Sequence, residues 1–337
     1  MSVVLHWLRS FAVAACLVLG NSGLSYAGSA EMELRDRIGL EVRGRFETSD
    51  FDGLEAMAKM FLSTDQRSPS GLWTISQFDR SLLDVLEIQD PESTEWVVYD
   101  KRIARWRAKY PDSTTARLAY AQLLHGHAWS YRGRSYASAV AKENWRPFYD
   151  QLQKALEFLD EQRDFLDGDP RYHDLLLMSL NELQVPEPAY DAAADRALNL
   201  HSGYYPLYFE IAFHNAPKWG GDPLAIEAFA RNAVARTQAT DGFGLYARIY
   251  WSMSQSQFGD AMFQNSEVRW PDMKQGIMDV MKTYPDQWNI NNFAKFACLA
   301  GDKVFAKTLF GQITDPIPDA WSQVVSYGDC KSWAEAG

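Results

Sequence analysis

Cysteine, basic charge and long apolar runs are all scarce in this sequence. Three cysteines occur among 337 residues, and 33 Lys and Arg stand against 44 Asp and Glu, which gives a net charge of −11. A nucleic-acid surface needs an excess of basic side chains to neutralise phosphates, so this composition argues against such a partner. No stretch reaches the roughly 18 apolar residues that a membrane-spanning helix requires. We therefore expect no nucleic-acid partner and no membrane span in the mature chain.

Motifs that mark catalytic sites are also missing. The sequence has no Gly-x-Ser-x-Gly, no His-Glu-x-x-His and no Gly-rich phosphate loop. His125 and His127 are two positions apart, which places them on different sides of a helix, and no third ligand follows at metal spacing. Acid pairs such as Asp164 and Asp167 have the spacing of a solvated helix face. The sequence thus predicts no catalytic residue, no metal site and no cofactor.

The composition that remains is that of a globular protein rich in aromatic residues. Apolar residues make up 47% and charged residues 23%, and there are 12 tryptophans. This balance excludes disordered, collagenous and polytopic membrane classes. The length suits one large domain or two smaller ones.

The N-terminal residues 1–27 have the pattern of a signal peptide. Arg9 precedes a short apolar run over 11–20, and Ser25 and Ala27 are the small residues before a cleavage site. Removal of this segment leaves 32 basic and 44 acidic residues, a net charge of −12. We expect an exported, periplasmic or extracellular protein.

Export would leave Cys298 and Cys330 in an oxidising compartment, where a disulfide persists. A bridge would clamp the C-terminal tail onto the last helix pair. The alternative is that Cys298 is a small buried apolar residue and Cys330 a free thiol near the chain end.

The rest of the chain has helical periodicity and predicts an all-α fold. One example is a stripe of apolar side chains at i, i+3, i+4, i+7 and i+8, formed by Leu54, Met57, Ala58, Phe61 and Leu62. Asp169-Pro170 and Asp222-Pro223 are helix starts. Loops are predicted at 67–71 and at Asp90-Pro91. We therefore divide the mature chain into an N-terminal helical part over 28–90 and a helical array over 91–337.

A Tyr-Pro-Asp motif that recurs at helix boundaries indicates that the array consists of helix pairs. Tyr110-Pro111-Asp112 and Tyr284-Pro285-Asp286 each end one helix and open the next. Residues 287–320 have the spacing of a tetratricopeptide unit of 34 residues, with Ala294 and Ala306 at the small positions and Gly301 at the turn. Such pairs bury their open faces against neighbouring pairs, so we expect antiparallel pairs stacked into a curved array.

Four segments carry a resemblance to a known family. They are 67–73 (RSPSGLW), 125–140 (HGHAWSYRGRSYASAV), 216–221 (APKWGG) and 284–310 (YPDQWNINNFAKFACLAGDKVFAKTLF). With these segments the chain resembles the bacterial domain of unknown function 4034 family. The resemblance implies a tetratricopeptide-like helical fold and supplies no activity or catalytic residue.

Two segments combine basic and aromatic side chains in this acidic protein. The first, over 129–145, contains Trp129, Tyr131, Arg132, Arg134, Tyr136 and Trp145; the second contains Lys218 and Trp219. Functionally, such a set suits an anionic group or a peptide, with Arg as a forked donor and the aromatic rings as stacking plates. Structurally, the same residues suit an arginine that stacks on tryptophan and ties a loop to the array.

These observations lead to a hypothesis of binding. We expect an exported helical-repeat protein that binds a peptide, protein or envelope component through these candidate residues. One alternative is an envelope hydrolase that acts on peptide or polysaccharide, and another is a structural assembly subunit.

Overall fold

The structure is a computed structural model that describes residues 29–336, so the signal peptide predicted at 1–27 lies outside the described residues. The described chain is all-α, as predicted. Its extended pairing is limited to an isolated bridge between Arg67 and Trp73, which closes the predicted loop. In this range no helix has the length and apolar character needed to cross a bilayer.

Seventeen α-helices follow one another in the described residues. The first nine are α1 Ala30–Thr48, α2 Phe51–Ser63, α3 Thr74–Leu86, α4 Glu95–Lys109, α5 Thr114–Arg132, α6 Lys142–Glu161, α7 Arg163–Leu166, α8 Pro170–Glu182 and α9 Glu187–Leu200. The others are α10 Tyr205–His214, α11 Pro223–Asp241, α12 Gly244–Met253, α13 Met262–Asn265, α14 Trp270–Thr283, α15 Gln287–Leu299, α16 Lys303–Phe310 and α17 Tyr327–Glu335. A π-helical turn, Ser254–Phe258, continues α12.

Acidic side chains start many of these helices, as the sequence predicts. Asp169 accepts the backbone N–H of Arg171 at the start of α8, and Asp222 accepts that of Ala225 at the start of α11. Each satisfies a backbone donor that the first helical turn leaves without a partner. The proline that follows each aspartate has no N–H and therefore fits the first turn.

Successive helices pack as pairs, and one helix of each pair also contacts the next pair. α5 packs on α6, α8 on α9, α12 on α14 and α15 on α16. Along the array, α3, α5, α8, α10 and α12 each contact the next member of that series. This arrangement is that of a helical repeat; the curvature of the array stays a prediction.

The predicted tetratricopeptide-like unit forms the pair α15 and α16. Ala294 and Ala306 have no exposed surface, and Gly301 between the helices has φ +72°. Glycine adopts this left-handed conformation without steric cost. Small side chains allow the two helices to approach closely, as the pattern indicates.

The loop over 67–73 connects the N-terminal helices to the array. The Ser70 carbonyl accepts hydrogen bonds from Arg248 of α12 at 2.6 Å and from Asn289 of α15 at 3.0 Å. The Ser70 N–H donates to the fully buried Glu31 of α1 at 2.9 Å. Trp73 donates from its indole N–H to the Gly203 carbonyl at 2.6 Å. Helices on both sides of residue 90 consequently share one core.

Cys298 and Cys330 form a disulfide, with their Cα atoms 6.1 Å apart. The bridge joins α15 to α17. Beside it, the Trp321 ring stacks on Phe310 with centroids 5.7 Å apart. The C-terminal tail thus covers the end of the last predicted repeat.

Candidate functional site

The first candidate segment begins on the last turn of α5. Trp129, Tyr131 and Arg132 lie on this helix, which ends at Gly133 with φ +64°, and Trp145 lies on α6. The segment is therefore part of the α5–α6 pair and its connection.

The guanidinium of Arg132 contacts groups within this segment. It lies over the Trp129 ring at 4.8 Å and near the Trp145 ring at 5.6 Å from the centroids. Its Nη1 donates to the carbonyls of Gly133 at 2.9 Å and Ser135 at 3.1 Å. Burial lowers the pKa of Arg132, with the charge of Glu182 acting in the opposite direction. These contacts match the structural interpretation of the motif.

The remaining members of the segment have separate surroundings. Arg134 forms an ion pair with Glu87, just beyond the end of α3. Tyr131 stacks on His127 with centroids 5.3 Å apart, and His127 stacks on Trp96 at 4.3 Å. Tyr136 is 64% exposed. The structure thus keeps Trp129, Arg132 and Trp145 together and places the other side chains elsewhere.

Glu182, which the sequence analysis did not single out, connects this segment to α8. Its two carboxylate oxygens accept hydrogen bonds from His125 Nε2 at 2.7 Å and from Trp129 Nε1 at 2.9 Å. His125 is therefore engaged with a carboxylate. Among the described residues no group of three or more metal-binding side chains is assembled.

The second candidate segment follows α10. Lys218 donates from Nζ to the Ser256 carbonyl at 2.9 Å and lies 3.8 Å from the centroid of the Phe213 ring. Burial lowers the pKa of Lys218 to about 8, against the opposing charge of Glu210. The buried indole Nε1 of Trp219 has no hydrogen-bond partner among the described residues.

Between the two segments lies a set of polar side chains that the sequence analysis missed. They occupy α3, α5, α8, α9 and α10, and we call them the polar row: Asp79, Gln122, Asp174, Asn181, Tyr190 and Glu210. No short motif contains them, because they come from five helices. The one local signal is the polar face of α8, where Asp174 and Asn181 are seven positions apart and so lie two helical turns from each other.

Burial raises the pKa values of the three carboxyl groups of the polar row. Burial raises the pKa of Asp79 to about 6, against the opposing charge of Arg171. Burial, and then the negative charge of Asp79, raise the pKa of Asp174 to about 7. Burial, followed by the charges of Asp174 and Glu182, raises the pKa of Glu210 well above its usual range. The three groups therefore share one electrostatic environment.

Arg171, whose charge opposes the pKa shift of Asp79, forms its hydrogen bonds with residues outside the polar row. Arg171 donates to both oxygens of Asp169, at 3.0 and 2.6 Å, and to the hydroxyl of Thr115 at 3.0 Å. Its Nη1 is 3.7 Å from Asp79 Oδ1. Arg171 is thus committed to Asp169 and Asp79 and leaves Asp174 and Glu210 unpaired.

Besides Asp79 Oδ1, which lies 3.7 Å from Arg171 Nη1, four buried polar atoms of the row have no hydrogen-bond partner among the described residues. They are Gln122 Oε1, Asn181 Nδ2, Tyr190 OH and Glu210 Oε1. Tyr190 is 1% exposed, and its ring stacks on His214 with centroids 3.6 Å apart. His214 Nδ1 in turn donates to Asn181 Oδ1 at 2.8 Å. Folded proteins pair nearly all buried polar groups, so a cluster of exceptions in one place requires an explanation.

Electrostatic contacts link the two candidate segments through this row. Glu182 accepts from Trp129 and shifts the pKa of Glu210, and Lys218 opposes that shift. Arg132, through Glu182, and Lys218, through Glu210, consequently interact with one connected set of carboxyl groups.

Comparisons with known proteins add no identification. No protein-family model matches the chain, and no curated protein or solved structure matches it either. The resemblance to the domain of unknown function 4034 family stays a prediction that rests on the four quoted segments.

Proposed function

We propose that this chain is an exported helical-repeat protein that binds a peptide segment of a partner protein along the polar row. The observation that carries the proposal is the cluster of four buried polar atoms without partners on α5, α8, α9 and α10. Each such atom costs about 1–3 kcal/mol when it is left unpaired. A ligand that pairs them would recover part of that free energy on binding.

The chemistry of these atoms suits a polypeptide. Asn181 Nδ2 is a donor, Gln122 Oε1 is an acceptor, and the Tyr190 hydroxyl is both. A peptide backbone presents one donor and one acceptor per residue, so it complements such a mixture. Helical repeats offer extended surfaces to ligands of this kind.

Export is part of the same proposal. The signal-peptide pattern at 1–27 motivates it, and the disulfide between Cys298 and Cys330 supports it because such bonds persist in oxidising compartments. Mass spectrometry of the protein from its host should find an N-terminus at Gly28. An N-terminus at Met1 would contradict export.

The binding proposal is tested with the chain that starts at Gly28 and an array of synthetic peptides of random sequence. We expect a reproducible set of bound peptides and a five- to tenfold loss of affinity in Tyr190→Phe, which removes one buried hydroxyl, about 1 kcal/mol. Tyr136→Phe is the matched control, since Tyr136 is largely exposed on the other segment.

Two results would redirect the proposal. Failure to bind any peptide would overturn it. A five- to tenfold loss of affinity in Tyr136→Phe, with unchanged affinity in Tyr190→Phe, would instead place the binding site at the segment over 129–145. Mass spectrometry of the bound peptides checks the hydrolase alternative, because a binding protein returns them uncleaved.

A further inference from the structure

The chemical character of the bound segment can be inferred from charge, and this inference rests on the proposed function. Asp174 and Glu210 lie on α8 and α10, which contact each other directly. As whole residues both are partly buried, and the Oε1 atom of Glu210 is fully buried. No Lys, Arg or His of the described residues lies within ion-pairing distance of either. Asp174 also makes no hydrogen bond to the described residues.

The two nearest basic side chains are already engaged. Arg171 is bound to Asp169 and Asp79, and Lys218 donates to the Ser256 carbonyl. Burial, and after it the charge of Asp174, raise the pKa of Glu210. Burial and the repulsion between two like charges without an ion-paired cation disfavour the ionised state of both, and the charge of Lys218 opposes this effect only at Glu210. A cationic ligand would relieve this repulsion.

A second feature of the region points independently to a ligand. The Tyr190 hydroxyl is almost fully buried and has no hydrogen-bond partner among the described residues. Burial, and after it the charges of Glu210 and Asp174, raise the pKa of Tyr190. Tyr204, also buried, is within the electrostatic reach of Asp174. Aromatic side chains next to carboxylates suit a side chain with an apolar stem and a cationic end.

We propose that the polar row receives a basic side chain of the bound peptide, Lys or Arg, whose cationic group lies between Asp174 and Glu210. Its N–H groups donate to the two carboxylates, and its stem packs beside Tyr190. The ligand is therefore a basic segment, which also matches the net negative charge of the mature chain.

The experiment uses the chain that starts at Gly28 and short host peptides, capped at both ends, that differ at one central position. Lys, Arg, norleucine and Glu occupy that position in turn. Fluorescence polarisation at low and at physiological ionic strength measures the affinity. We expect the Lys and Arg peptides to bind at least about tenfold more tightly than the norleucine peptide, as charge-assisted hydrogen bonds predict.

The variants Asp174→Asn and Glu210→Gln should each remove this preference, so that the Lys, Arg and norleucine peptides bind each variant with similar affinity. Both replacements are neutral and of equal size, so the fold should persist, which circular dichroism checks. Asp150→Asn is the matched control for the change in net charge, because Asp150 is exposed on α6 with 62% of its side-chain surface accessible.

The outcomes separate the two proposals. Equal binding of the Lys and norleucine peptides, or a preference for Glu, would overturn the basic ligand and leave peptide binding in place. Failure of every host peptide and every array peptide would overturn both. A preference lost equally in Asp150→Asn would assign it to the overall charge of the chain and would overturn the site.

Discussion

The guanidinium of Arg132 lies 4.8 Å from the centroid of the Trp129 ring, one helical turn away on α5. The same group donates two hydrogen bonds to the carbonyls that follow the helix end. Arg132 thus stabilises the end of α5 and fixes the start of the connection to α6.

The first prediction follows from these contacts. Arg132→Ala should lower the free energy of unfolding by about 1–2 kcal/mol, because it removes the stacked cation and both hydrogen bonds. Arg132→Lys should recover only part of this loss, since an ammonium group does not stack or reach both carbonyls in the same way. Urea unfolding of the three proteins measures the effect. Unchanged stability together with lost peptide binding would instead assign Arg132 to ligand recognition.

Sequence patterns were sufficient to predict the all-α fold and several helix starts, because these depend on local residues. Asp169-Pro170 and Asp222-Pro223 start helices as expected, and Gly301 occupies the turn between α15 and α16. Capping and left-handed turns are determined by a few adjacent residues, so they can be recognised without tertiary information.

The polar row could not be predicted in this way. Asp79, Asp174 and Glu210 are ordinary helical acids in the sequence, and only tertiary packing brings them together. Conversely, the segment over 129–145 is recognisable in the sequence by its basic and aromatic residues, yet its Arg132 and Arg134 bind groups within the protein. Local composition thus indicated a candidate binding segment. The burial and hydrogen bonds of individual side chains are needed to identify which polar groups lack partners.

The second prediction concerns Gly71, at the loop that joins α1, α12 and α15. Its φ is +90°, and a Cβ atom there would lie 2.5 Å from the Tyr284 ring and 2.6 Å from Arg248. Gly71→Ala should therefore destabilise the protein by more than about 2 kcal/mol, from strain and steric overlap together. Thermal or urea unfolding measures the loss.

Gly133→Ala is the matched control for Gly71→Ala. Gly133 has φ +64°, but a Cβ atom there would meet nothing within 4 Å. Only backbone strain remains, about 1–3 kcal/mol, because φ +64° with ψ −175° is a conformation that is essentially restricted to glycine. Equal losses in the two variants would show that the loop over 67–73 is not tightly held by its neighbours.

The third prediction concerns the disulfide, whose cysteines are 32 positions apart. The double variant Cys298→Ala/Cys330→Ala should lose about 3–4 kcal/mol of stability, because the bridge restricts the unfolded chain. Thiol titration of the denatured mature protein without reductant should find no free thiol. Two titratable thiols would contradict the bridge.

The last prediction uses the pKa of Asp174, which lies at about 7 in the folded protein against a usual value of 3.8. A carboxyl with a raised folded-state pKa favours folding when it is protonated, so its contribution is complete below the unfolded value and is lost as pH rises toward 7. Each unit of upward shift costs about 1.4 kcal/mol once pH exceeds both values. Asp174→Asn cannot ionise and avoids this cost. The variant should therefore become more stable relative to wild type as pH rises from about 4 to about 8, by more than about 1 kcal/mol in total.

Asp150→Asn, at an exposed site on α6, is the control and should give a nearly constant difference in stability from wild type over the same pH range. Urea unfolding of the three proteins at a series of pH values isolates Asp174 from other titrating groups, because those are common to all three. A constant difference for Asp174→Asn would show that this carboxyl ionises freely in the folded protein and is not enclosed beside Asp79.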